Sequence, residues 1–142
     1  MKILSIDQKL ASMADYGFLF PRIAFGIHLL YYSWGSVTSL DVSGDASWLA
    51  AHGVPLPTLA AWAYLFTEFL GGMALIIGFR VRMFAVPLII TFLVAYFMVH
   101  LNDSYQDAYP ALQMLAMSCF FLFAGSGKPS LDEWINQRKS GE

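Results

Sequence analysis

Residues 59–79 read LAAWAYLFTEFLGGMALIIGF, and Glu68 is the one charged residue among them. The run is as long as the roughly 20 residues a helix needs to cross a bilayer. A carboxylate in such a run is costly unless it finds a partner, loses its charge or meets a ligand. The reading of this stretch decides the fold, because three more stretches resemble it.

Those stretches are 18–40, 83–101 and 109–125. Glycine, proline and polar residues interrupt them, which membrane helices tolerate. The chain as a whole is 58% hydrophobic and 13% charged. A soluble domain carries about 25% charged residues, so lipid is the expected solvent. The 142 residues suit one domain. The N-terminal segment lacks a small-residue cleavage pattern, and span 18–40 reads as a retained helix. No basic tract points to nucleic acid. Cys119 is the single cysteine, which excludes an intramolecular disulfide or a CxxC pair.

The links set the arrangement. Arg80-Val81-Arg82 joins the second and third spans as a tight hairpin, and 102–108 joins the third and fourth. The first link, 41–58, is longer. It reads as an interfacial or partly re-entrant loop, broken by Pro55 and Pro57. With four spans, Lys2, Lys9, Arg22, Arg80, Arg82, Lys128, Arg138 and Lys139 all fall on one side. Asp41, Asp45, Asp103 and Asp107 fall on the other. The positive-inside rule puts the basic side in the cytoplasm. The expectation is an all-α integral membrane four-helix bundle with both termini cytoplasmic. The segment SLDEWINQRK, 130–139, reads as a short surface helix capped by Ser130.

Glu68 lies about 11 residues from the cytoplasmic end of its span, roughly 16 Å deep. His28 lies about 10 residues into the first span, roughly 15 Å deep. The two are expected at one level. Arg22 competes for Glu68, or its side chain reaches the surface. A structural cluster and a ligand or proton site stand equally at this point. Gly26, Gly71 and Gly72 mark close helix packing. Tyr32 and Tyr64 belong to an aromatic set that forms core and interfacial belt or lines a quinone or lipid cavity. Gln113 is a hydrogen-bonding candidate for a ligand or another helix. The methionines and Cys119 read as packing. His52, His100 and the nearby aspartates lack metal-ligand spacing, so no metal is expected.

Taken together, these residues resemble the DoxX family from about Arg22 to Asp132. The resemblance rests on Arg22 opening the first span, on Gly53-Val54-Pro55-Leu56-Pro57, and on Glu68 followed by Gly71-Gly72 and Leu75 to Gly78. It continues through the basic turn Arg80–Arg82 to Gly125-Ser126-Gly127 and Ser130-Leu131-Asp132. It implies a four-helix protein of the bacterial cytoplasmic (inner) membrane. Members resemble the small membrane subunit of thiosulfate:quinone oxidoreductase, and others accompany oxidoreductase complexes in thiol and oxidative-stress defence. The chain lacks the paired cysteines of four-helix thiol oxidoreductases, which argues against a disulfide relay. The resemblance thus implies a redox-linked component with quinone as its ligand class and no covalently bound cofactor. If it is an enzyme, it acts as a quinone-linked subunit whose electrons come from a membrane or peripheral partner. Glu68, His28, Arg22, Tyr32 and Gln113 are the expected ligand or proton residues. The alternative is a non-catalytic partner, assembly or stress-response protein, docking through small-residue helix faces or as a homo-oligomer, with a structural polar centre.

Overall fold

A computed structural model describes residues 6, 8, 9, 11 and 13–139. Lys2, one of the basic residues used to orient the chain, lies outside the described residues. So does part of the N-terminal segment read as lacking a cleavage site. No strand occurs among the described residues. The elements are α1 (Ala14–Gly17), α2 (Leu19–Ser39), α3 (Ser43–Ala51), α4 (Pro57–Ile77), α5 (Val81–Val94), α6 (Tyr105–Ala124) and α7 (Leu131–Lys139). A π-helical turn, Ala95–Val99, extends α5.

Among the described residues three helices have the length and hydropathy to cross a membrane: α4, α5 with its π-helical turn, and α6. Their outward faces are apolar, with Phe123 79% and Met83 63% exposed. Such contiguous apolar exposure fits lipid contact, not water. α2 has the length, at 21 residues. Arg22, His28 and its serines and threonine dilute its hydropathy.

The long helices alternate in direction. Arg22 meets Gly78, Gly26 meets Gly72, and Trp34 meets Phe69, so α2 and α4 run antiparallel along their length. At the α2–α4 crossing, a Cβ on Gly72 would lie 2.9 Å from the Gly26 carbonyl oxygen, and one on Gly26 2.9 Å from the Gly72 oxygen. Only glycine at both positions lets the backbones come this close. Gly71 faces Leu88 of α5 in the same way. α6 returns along α5 and reaches α2 through side chains, with Phe121 stacked on Phe25 at 6.1 Å.

The first link differs from the expected loop. Val42 leads into α3, a nine-residue helix whose Ala46 and Leu49 are buried. Asp41 Oδ1 accepts the Ser43 N–H at 2.9 Å and starts it. Pro57 begins α4 rather than blocking it, because its missing N–H is unneeded in a first turn. Pro87 and Pro110 sit inside α5 and α6. α6 begins a turn earlier than expected, where Ser104 Oγ accepts the Asp107 N–H. α7 forms where expected, and Ser130 Oγ accepts the Glu133 N–H at 3.2 Å.

Two apolar cores result. One holds Phe25, Leu29, Leu75, Leu88, Phe92 and Phe121 at the end near the Arg80–Arg82 turn. The other holds Val42, Leu49, Val54, Ala61, Leu65 and Val99 beneath α3. Glu68 lies on α4 between Leu65 and Leu75, where one core gives way to the other.

Candidate functional site

A cavity of about 590 Å³ opens at this junction. That size suits a small-molecule ligand, for which sites of about 300–1,000 Å³ are usual. Its walls are mostly apolar: Leu29, Leu49, Val54, Ile90, Phe92, Val99 and Met114 all contribute. Polar groups enter from four elements. α2 gives His28 and Tyr32, α3 gives Asp45, and α4 gives Tyr64 and Glu68. Thr91 of α5 and His100, just past the π-helical turn, complete the set. Among the described residues no lysine or arginine lines the cavity.

Periodicity explains the α4 contribution. Ala60, Tyr64 and Glu68 are four residues apart, so they share one helical face. Glu68 is only 9% exposed, yet it lines the cavity. It makes no hydrogen bond or ion pair with any described residue. A buried carboxyl group in that position is kept neutral or is matched by something that enters the cavity. His28 shares the cavity with it, but the two form no hydrogen bond; the His28 ring sits 4.7 Å from that of Tyr32.

Two of the expected site residues stand elsewhere. Arg22 is 2% exposed and does not reach Glu68. Its Nη1 donates to the Ser126 carbonyl oxygen and its Nη2 to the Pro129 oxygen, at 2.7 Å. Around it a polar clasp closes the end of the molecule. Asp132 accepts the Arg80 backbone N–H at 2.9 Å and the Ser126 hydroxyl at 2.9 Å, while its own N–H donates to the Gly78 oxygen. Gly78 has φ +73°, and a Cβ there would strike Ser130 and the Arg22 guanidinium. Arg22 is thus the pin of this clasp. Gln113 is exposed on α6 and is no part of the cavity wall.

Tyr64, one of the aromatic set expected to line a cavity, does so, and Asp45 joins it without having been a site candidate from sequence. Tyr64 donates its hydroxyl to Asp45 Oδ1 at 2.6 Å, and Asp45 Oδ2 accepts the Ser36 hydroxyl at 2.8 Å. Asp45 had served only as a marker of the acidic loop. The fold of α3 turns it inward. At the rim, His100 Nδ1 pairs with Asp103 at 2.8 Å, and the Trp48 ring lies 6.1 Å from that of His100. Among the described residues no group of three acidic, histidine or cysteine side chains is placed to hold a metal ion.

The fold and the cavity define a helical membrane protein with a buried acidic group facing a ligand-sized space. The DoxX family model matches residues 17–101, more than half of the 142 residues, and the chain belongs to the DoxX family. No curated protein and no solved structure matches it. The matched segment contains Arg22, His28, Asp45, Tyr64 and Glu68.

Proposed function

We propose that the chain is a four-span membrane subunit that holds a quinone headgroup beside Glu68 and works with a redox partner. The observation that carries this is the Glu68 carboxyl group, which lines a ligand-sized cavity and is unpartnered among the described residues. A quinone fits the donor set. Its ring suits the apolar and aromatic walls, and its carbonyls accept hydrogen bonds from a protonated Glu68 or from His28. A bound quinone supplies a couple that takes up two electrons and two protons. The protein's own task is then to orient the ring, exclude bulk water and move protons at the Glu68 carboxyl oxygen. Electrons reach the site from a partner that carries a redox centre.

Two structural points support four spans. α2 is antiparallel to α4 from Arg22 to Trp34. A membrane-crossing α4 therefore places α2 at the same depth. The arginine-rich Arg80–Arg82 turn and α7 lie at one end, and the acidic 41–45 and 103–107 segments at the other. The Lys/Arg bias assigns the first end, with both termini, to the cytoplasm of a bacterial cell. Docking through small-residue faces has less support, because Gly26, Gly71 and Gly72 are covered inside the fold.

Glu68→Ala tests the reading, with membrane abundance and binding of a short-chain ubiquinone measured separately. The expected result is normal abundance with binding weakened by about tenfold, the upper worth of one neutral hydrogen bond. Normal binding would remove Glu68 from the ligand site.

A further inference from the structure

We infer that Asp45 and Tyr64 form a proton path joining Glu68 to the aqueous phase on the α3 side of the membrane. The inference rests on the cavity being the working site, and it adds the direction from which that site exchanges protons.

The geometry is one-sided. Tyr64 lies one turn above Glu68 on the same face of α4, and both line the cavity. The Tyr64 hydroxyl reaches Asp45 at 2.6 Å. Asp45 also takes the Ser36 hydroxyl and is half-buried in the first turn of α3, next to exposed Ser43 and Gly44. The cavity of about 590 Å³ that Tyr64 and Glu68 both line is large enough for water. In the other direction the path ends. Below Glu68 on α4 come Gly71, Gly72, Ala74 and Leu75, all buried. Leu88 packs on Gly71, and Gly26 and Leu30 close over Gly72. None of these offers a proton carrier.

The transfer balances at each atom. A proton from water is taken up by the Asp45 carboxylate. The protonated Asp45 donates to the Tyr64 oxygen as the Tyr64 hydroxyl passes its own proton through cavity water to the Glu68 carboxylate, so Asp45 returns to the carboxylate and Tyr64 stays a phenol throughout. The reverse sequence delivers a proton from Glu68 outward. The other titratable groups on the wall are His28 and Tyr32 of α2, and His100 beyond the π-helical turn; α6 presents only Ala111 and Met114. His100 is engaged by Asp103 at the rim, so Asp45 and Tyr64 provide the hydrogen-bonded route.

The test uses the full chain inserted in one orientation in liposomes, with the pH of each compartment set separately. Dicyclohexylcarbodiimide attacks protonated carboxyl groups in apolar surroundings, and the mass of the Glu68 peptide reports its labelling. Above the pH of half-protonation, labelling falls about tenfold for each unit by which pH rises on the α3 side. It ignores the pH on the Arg80–Arg82 side. In nanodiscs, the response of the Glu68 carboxyl infrared band to a pH jump slows by about tenfold or more in Tyr64→Phe and Asp45→Asn. Asp45→Glu restores it. Labelling of the wild type that follows the Arg80–Arg82 side would overturn the inference, as would wild-type response rates in both variants. Neither measurement needs quinone. A failure here is therefore distinct from failure of ubiquinone to bind, which would strike the proposed function instead.

Discussion

Replacing Arg22 by Gln separates a clasp from a ligand site. Arg22 donates two hydrogen bonds to carbonyl oxygens of the 126–129 segment. Hydrogen bonds from a charged donor are worth about 1.5–3 kcal/mol each. Those figures are already net of desolvation. Against them, the Nε is buried with no acceptor among the described residues, a penalty of about 1–3 kcal/mol that the substitution removes. The expected net loss is about 2 kcal/mol. It falls on the segment that the clasp holds, so amide hydrogen exchange in 126–132 should quicken roughly thirtyfold. Ubiquinone binding to the folded protein should stay at the wild-type value, since Arg22 is remote from the cavity wall. Unchanged exchange in 126–132 together with lost binding would refute this reasoning and return Arg22 to the ligand site.

The glycines give opposed predictions. Gly72→Ala gains up to about 1 kcal/mol of helix propensity but overpacks the α2–α4 crossing, at a cost of about 1–3 kcal/mol; thermal unfolding in detergent should show a net loss. Gly35→Ala gains the same propensity at a helical position with nothing within 4 Å, so it should raise the midpoint. Equal shifts in both variants would contradict the close approach at Gly26 and Gly72. Topology is read by membrane-impermeant thiol labelling in a Cys119→Ala background. A cysteine at exposed Ala50 should label from outside the cell, and one at Lys139 only after the membrane is opened.

Much of this fold was legible because a bilayer imposes length and polarity on the chain. The α4 run, the hairpin at Arg80–Arg82 and the cap at Ser130 follow from local rules. Glu68 could be singled out because a lone carboxyl in an apolar run is conspicuous. Depth counting also put His28 near Glu68, and both line one cavity. What depth counting lacks is azimuth. It set Arg22 beside Glu68 as a competitor, whereas the Arg22 side chain turns to partners more than 100 residues away in the chain. Gln113 had the right depth and the wrong face. Asp45 was hidden for another reason. Its contact with Tyr64 spans 19 residues and depends on how α3 folds, which no short-range pattern announces. Tyr64 itself was legible as an aromatic four residues from Glu68, but its partner was not.

The central claim is that the Glu68 carboxyl group serves a ligand and not the fold. Glu68→Leu is the most direct test, because it keeps bulk and removes every polar interaction. Unfolding free energy and ubiquinone affinity are measured on the same reconstituted sample. A buried carboxyl without a partner costs stability, so the variant should be at least as stable as the wild type, with a gain of about 1 kcal/mol, while its ubiquinone affinity falls by about tenfold or more. A less stable variant that binds ubiquinone as well as the wild type would contradict the claim.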